Sequence, residues 1–230
     1  MTGTPDTIDS GKLAAALDGK DETALAPAGG KGYTRAKRIL DVVLASLLLL
    51  LLWAPMLVVA AIIKLTSRGP VFFKQTRAGL NGEPFEMYKF RTMYDGAEQD
   101  REYLARRNEL HWPVFKIAED PRITRFGRFL RRSSIDELPQ LFNVLLGRMS
   151  LVGPRPLWVP EARNAVGAAR LRTLVKPGCT CLWQISGRSE LSYDEWVLLD
   201  LYYIRHRSTL LDLLIMVQTI PAVLTGRGAY

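Results

Sequence analysis

Histidine and cysteine are almost missing from this 230-residue chain, which holds two of each. His111 and His206 stand apart, so a histidine metal cluster or a serine-histidine triad lacks its parts. Cys179 and Cys181 are spaced C-T-C, which fits neither a disulfide framework nor the CxxC pairs of structural zinc sites. They read as two reduced thiols of a cytosolic protein. No GxGxxG or GxxxxGK[ST] loop occurs, so Rossmann and P-loop nucleotide sites have no support. No internal repeat is present, which sets aside solenoids and propellers.

Acidic residues are the scarcer charge. The formal net charge is +8 and the isoelectric point about 9.7, which favours a polyanion, a phosphate-bearing ligand or an anionic membrane surface as partner. The first 32 residues run against that trend, with Lys12, Lys20 and Lys31 facing Asp6, Asp9, Asp18, Asp21 and Glu22. Large apolar side chains are nearly absent there, so residues 1–32 are expected to be a disordered tail.

One apolar run is long. Val42 to Ile63 carries no charge, and 22 residues at about 1.5 Å each would reach across a bilayer core. A buried core helix or a cleaved signal peptide fits poorly with that length and with the polar leader. Lys31, Arg35, Lys37 and Arg38 precede the run and Lys64, Arg68, Lys74 and Arg77 follow it, so a simple span would place one positive cluster outside. Pro55 removes a backbone donor mid-run and bends or breaks the helix. The pattern predicts a re-entrant helix-break-helix over 33–67, broken at Ala54-Pro55, with both ends in the cytoplasm. Residues 209–225 are apolar but carry Asp212, Gln218 and Pro221, as expected of an amphipathic helix that rests on the membrane or packs on the core.

Residues 68–230 read as a small α/β or α+β domain. Asn81-Gly82 signals a hairpin within 69–93, and alternation places Lys89 and Arg91 on one basic strand face. An exposed helix is expected over 94–110 and a loop over 111–121. Arg122, Arg125, Arg128, Arg131 and Arg132 then lead to Asp136-Glu137, where a helix is expected to open and to end at Gly147.

The acid pair admits two readings. Ser134-x-x-Glu137 is a capping box pattern. Alternatively, a carboxylate beside arginines at a helix start is an anion at neutral pH, able to attack phosphorus and form an acyl phosphate. Glu137 could then hold Mg²⁺, which takes one or two carboxylates plus phosphate oxygens. Arg155, fixed between Pro154 and Pro156, presents a guanidinium fork suited to phosphate. Basic strand, arginine run, acid pair and rigid arginine together describe a site for a doubly phosphorylated ligand at a membrane face.

Lys37-Arg38 with Asp41, "YKFRTM" (88–93), "DPRIT" (120–124), "SIDELPQLFNVLLGRMSLVGPRP" (134–156), "KPG" (176–178) and "LWQISGR" (182–188) resemble the bacterial sugar transferases, or monotopic phosphoglycosyl transferases, in order from about Tyr33 to Tyr230. That resemblance implies transfer of a sugar-1-phosphate from a UDP-sugar to polyprenyl (undecaprenyl) phosphate on the cytoplasmic face of the bacterial inner membrane. By the same matching Asp136 is the nucleophile that displaces UMP, and Glu137 its magnesium-binding neighbour. Lys89, Arg131 and Arg155 would contact phosphates, and Lys37-Arg38 would lie near the lipid headgroup. The ending "GRGAY" is similar to members that begin exopolysaccharides with glucose or galactose. Two departures stand out: Ala54-Pro55 replaces a Ser-Pro break, and Cys179 and Cys181 replace an aliphatic residue and a glycine. A homo-oligomer is compatible with this reading, and nucleic acid is not an expected partner. The rival is a non-enzymatic membrane-tethered basic module that binds anionic lipid or nucleic acid and needs no acid pair.

Overall fold

In a computed structural model of the chain, which describes residues 27–100, 120–165, 168–187 and 191–225, the apolar run forms one helix, α1 (Lys31–Thr66). At about 1.5 Å per residue its 36 residues extend some 54 Å. It is long and apolar enough to cross a membrane. The expected division at Ala54-Pro55 is not seen, because Pro55 lies inside the helix. Proline removes one intrahelical hydrogen bond, and the apolar residues on both sides carry the helix through it. Most of the expected tail, residues 1–26, lies outside the described residues. Residues 27–30 lead into α1, and the Ala28 amide donates to the Ile204 carbonyl at 3.0 Å.

Only a stripe of α1 is buried, through Asp41, Ala45, Met56, Val59 and Ile63, while Leu50, Leu51, Trp53, Leu57 and Val58 are exposed. Such a helix has an apolar surface left uncovered by the described residues, the reverse of a water-facing amphipathic helix. Both flanks of the run nevertheless dock on the same polar domain. At one flank Asp41 accepts hydrogen bonds from Ser150 Oγ (3.0 Å) and the Leu151 amide (2.9 Å). At the other, Arg91 donates to the Arg68 and Ser67 carbonyls and to Ser67 Oγ.

The domain joins small sheets to short helices. β1 (Phe72–Ala78) and β2 (Pro84–Phe90) form the expected antiparallel hairpin, from Phe72 opposite Phe90 to Ala78 opposite Pro84. Asn81 (φ 56°) and Gly82 (φ 79°) take the left-handed backbone at its turn. β4 (Leu157–Trp158) adds to β1, giving the order β2-β1-β4. β3 (Ser150–Val152) pairs in parallel with β5 (Gly178–Thr180).

Between the sheets lie α2 (Arg125–Arg132), a 3₁₀ turn (Ile135–Glu137) and α3 (Gln140–Leu145). After β4 come α4 (Val159–Asn164), α5 (Ala168–Leu171), α6 (Leu182–Ile185), α7 (Tyr193–His206) and α8 (Thr209–Thr225). The main core joins Ala45 of α1, Met87, Val144, Val152, Leu201 and Ile215. A second cluster packs Met56, Val59 and Ile63 on Phe90 and Leu130.

The helix expected over 94–110 does not form in its described part. Residues 95–100 are turns, with Gly96 at φ 81°, and residues 101–119 lie outside the described residues. The C-terminal helix forms as expected, but α8 buries only Asp212 and Ile215 and exposes Leu210, Leu213, Val217, Ile220 and Leu224. Its free face is therefore apolar, like that of α1.

Candidate active site

α2 is capped by Thr124, whose Oγ1 accepts from the Gly127 amide at 2.9 Å, and its last turn carries Arg131. Arg131 Nε donates to Thr92 Oγ1 at 3.0 Å, just past the end of β2. The chain then turns sharply at Ser134, a non-glycine residue at φ 57°, into the 3₁₀ turn that presents Asp136 and Glu137. The capping box expected from Ser134-x-x-Glu137 is not formed, because Ser134 is left-handed and makes no side-chain cap. Glu137 is taken instead by stronger, charged partners.

Those partners come from two distant segments. Lys89 Nζ lies 2.6 Å from Glu137 Oε1, and Arg155 Nη2 lies 3.3 Å from the same oxygen. Lys89 reaches it from β2, which packs beside the turn. Arg155 follows β3 on a loop held by an approach of two backbones: Gly153 N donates to Thr180 O at 3.0 Å, and Gly178 N to Pro154 O at 2.9 Å. A Cβ on Gly178 would come within 2.1 Å of Gly153 N, so glycine is required where "GPRP" crosses "KPG".

The basic strand face expected of Lys89 and Arg91 is divided. β2 ends at Phe90, so Arg91 leaves the alternation and turns to the C-terminal end of α1.

The two neighbouring carboxylates are electrostatically unlike. Glu137, despite burial, is held down to about 2 by the charge of Lys89 and then of Arg155. Burial pushes Asp136 up to about 6, against the pull of Lys89 and with the added repulsion of Glu137. The cause expected from sequence, a helix start that favours the anion, is therefore outweighed by desolvation. At pH 7 Asp136 remains about tenfold more ionised than protonated, by a narrow margin. Among the described residues no hydrogen bond or ion pair falls on the Asp136 carboxylate, although it is only 7% exposed. Arg131 is half-buried nearby, its pKa lowered by desolvation and partly restored by Asp136.

Five of the expected site residues thus meet here: Lys89, Arg131, Asp136, Glu137 and Arg155. Three cations against two carboxylates leave one positive charge and a set of donors suited to phosphate. Lys37 and Arg38 are placed elsewhere. Lys37 Nζ is 2.9 Å from Asp212 Oδ2, which also accepts from Tyr33. Arg38 donates to the Val144 and Leu145 carbonyls at the end of α3. Ala54 and Pro55 lie on α1, apart from the acid pair in sequence and outside its contacts.

Trp183 was not singled out by composition or charge, yet the Arg155 guanidinium lies 5.6 Å from its ring centroid, and the Trp196 ring lies 4.3 Å behind it. Its only signal in the sequence is its place in "LWQISGR". Arg188 of that motif lies outside the described residues.

No cluster of three or more metal-type ligands occurs among the described residues. The donor set nevertheless fits Mg²⁺ with few protein ligands, since Glu137 is firmly ionised and both bonds to it fall on Oε1.

A family model described as bacterial sugar transferase matches residues 32–226. The chain is 41% identical over 211 residues to the exopolysaccharide production protein ExoY of Rhizobium meliloti, covering 90% of this chain and 92% of that protein. It is 48% identical over 162 residues to the galactosyl transferase CpsE of Streptococcus agalactiae, covering 70% of this chain but 36% of that protein. It is 40% identical over 202 residues to the UDP-glucose:undecaprenyl-phosphate glucose-1-phosphate transferase of Klebsiella pneumoniae, covering 84% of this chain and 41% of that protein. It therefore spans nearly all of the first relative and well under half of the other two.

Proposed function

The chain belongs to the bacterial sugar transferase family, and from that premise we propose that it moves a hexose-1-phosphate from a UDP-sugar to undecaprenyl phosphate, through Asp136. The family makes it a phosphoglycosyl transferase; the acceptor, the donor and the covalent route are the proposal. The observation that carries the route is the contrast within the acid pair: Glu137 is tied to Lys89 and Arg155, whereas Asp136 is buried and takes no hydrogen bond or ion pair from the described residues.

In the first step an Asp136 oxygen bonds to the β-phosphorus of the UDP-sugar, and the bond from that phosphorus to the bridging oxygen breaks, releasing UMP. In the second step an oxygen of the lipid phosphate bonds to the same phosphorus and Asp136 departs as a carboxylate. Lys89 and Arg155 hold Glu137 and face the incoming diphosphate, and Arg131 supplies a third cation near Asp136. Mg²⁺ held by Glu137 and the donor's phosphates would neutralise charge on the leaving phosphate. The names of the relatives favour glucose or galactose and a role at the start of exopolysaccharide synthesis.

A re-entrant α1, with both ends on the cytoplasmic face of the inner membrane, belongs to the same reading. Its support is that Asp41 and the Ser67–Arg68 carbonyls, on opposite flanks of the apolar run, both bond to one domain. A straight crossing would put those flanks, 26 residues and so about 39 Å apart along the helix, on opposite sides of the membrane. Cysteines placed at Gly32 and Arg68 should label from the same side of the membrane. The non-enzymatic rival is set aside by the family, whose members carry out transfer.

The test is incubation with UDP-glucose or UDP-galactose and Mg²⁺ without lipid acceptor. Wild type should release UMP in a burst and carry a phosphosugar on the peptide containing Asp136, and Asp136→Asn should do neither. Turnover with lipid present and no adduct at that peptide would refute the covalent route.

A further inference from the structure

Two motifs have no task in the acid pair and its partners: the "RTM" that ends "YKFRTM", and "DPRIT". The fold joins them. Just past β2, Met93 and Ile123 form an isolated antiparallel bridge. On either side of it the Thr124 amide donates to Thr92 O at 2.9 Å and the Tyr94 amide to Arg122 O at 3.1 Å. This short ribbon is fixed at both ends. At one end the Arg91 amide donates to Val71 O at 2.9 Å, and the Arg91 guanidinium holds Ser67 after α1. At the other, Asp120 accepts the Arg122 amide and Nε on Oδ1 (3.0 and 2.9 Å) and Nη2 on Oδ2 (2.6 Å).

Thr92 lies on the ribbon against α2 and is only 7% exposed. Its carbonyl meets the first turn of that helix so closely that a Cβ on Gly127 would fall 1.9 Å from it. Its hydroxyl meets the last turn, where Oγ1 accepts from Arg131 Nε at 3.0 Å. Helical side chains lean toward the N-terminus of their helix, which brings Arg131 back along α2 to that oxygen. Among the described residues this is the one hydrogen bond of the Arg131 side chain, and no ion pair falls on it. With Nε engaged, the four N–H donors of Nη1 and Nη2 remain for another acceptor. Asp136 and then Asp120 are the carboxylates whose charge acts on Arg131. Both oxygens of Asp120 are already bonded to Arg122, so that acid does not draw the fork away.

A guanidinium held at Nε alone has its plane and direction set, while the edge that binds phosphate with two prongs stays open. Left loose, the same side chain would lose rotamer freedom when a ligand binds, at a cost in affinity. The hydroxyl removes that freedom beforehand.

We propose that Thr92 is a positioning residue, whose hydroxyl aims the Nη edge of Arg131 at the β-phosphate of the UDP-sugar. This role rests on the reading in which Asp136 attacks that phosphorus, and it gives both motifs a task. "RTM" supplies the hydroxyl, and "DPRIT" supplies its ribbon partner together with an acid that Arg122 keeps occupied.

The test measures the affinities of UDP and UMP for the full chain in detergent with Mg²⁺ present, by calorimetry, because only UDP carries a β-phosphate. Wild type should bind UDP more tightly than UMP. Thr92→Val keeps the shape without the hydroxyl and should weaken UDP about tenfold, with UMP changed by less than about twofold. Thr92→Ser keeps the hydroxyl and should retain the wild-type preference. In Arg131→Met, which lacks the fork, adding Thr92→Val should lower neither affinity further, since Thr92 acts through that side chain. Where Thr92→Val does not fold, Thr92→Ala makes the same comparison. A full UDP preference in Thr92→Val, an equal loss in the serine variant, an equal loss for UDP and UMP, or a further loss on top of Arg131→Met would overturn the role. UDP bound no more tightly than UMP by wild type would overturn the donor reading and this role together. Turnover without an adduct at the Asp136 peptide would overturn the covalent route alone, and a UDP preference lost in Thr92→Val would still support Thr92.

Discussion

Replacing Asp136 by asparagine should stabilise the protein while removing its chemistry. The buried carboxylate has its pKa raised from 3.8 to about 6, so the folded state disfavours the anion by about 3 kcal/mol at 1.36 kcal/mol per unit. The sign follows from linkage. Because the folded pKa is the higher one, the cost is absent below about pH 4, grows between about pH 4 and 6, and is complete above pH 6. Asparagine keeps the shape without the charge, so its advantage should be about 3 kcal/mol at pH 7.5, about half that at pH 5 and close to nothing at pH 3.5. For a chain of this size that is roughly 6–12 °C in thermal midpoint at pH 7.5. Melting of wild type and Asp136→Asn in detergent at these three pH values measures the gap. A variant that melts below wild type at pH 7.5, or a gap that does not change with pH, would refute the claim that desolvation dominates at Asp136.

Release of UMP from donor alone should fall about tenfold per pH unit below pH 6, because on the proposed route only ionised Asp136 attacks. Lys89→Met removes the largest attraction on that anion, so the acidic limb should move to higher pH and the rate should drop at least tenfold; a limb that stays put or moves down would contradict this. Lys37→Met leaves Asp212 buried without its cation and should cost about 3–5 kcal/mol in thermal unfolding, most of it regained when Asp212→Asn is added. Trp183→Leu should raise KM for the UDP-sugar from a few-fold to about thirtyfold through loss of the contact to Arg155, with Trp183→Phe close to wild type; equal KM in all three would remove Trp183 from a positioning role.

The hairpin, the long apolar helix and the C-terminal helix were legible because each rests on local signals: Asn81-Gly82 at a turn, an uncharged run, and apolar residues between polar breaks. What failed depended on where a segment ends. Lys89 and Arg91 share a face only while the strand continues, and it stops at Phe90. Lys37 and Arg38 are adjacent in sequence, but neighbours on a helix point about 100° apart, so one meets Asp212 and the other the end of α3. The described start of the helix expected over 94–110, residues 95–100, forms turns where Gly96 takes a left-handed backbone, which period and charge do not register.

The acid pair itself was legible, but the division of labour within it was not. Sequence places two carboxylates side by side; only the reach of Lys89 across 48 positions, and of Arg155 across 18, decides which one is paired. A lone carboxylate among three cations would be the one they bind, its lone pairs engaged and its pKa depressed. With Glu137 taking those bonds, Asp136 stands in the same positive field yet takes no bond from the described residues, and burial holds its basicity above that of an ordinary aspartate. On the proposed route two acids are therefore needed where one reacts: the first would satisfy the cations that a diphosphate later meets, and the second would remain a nucleophile.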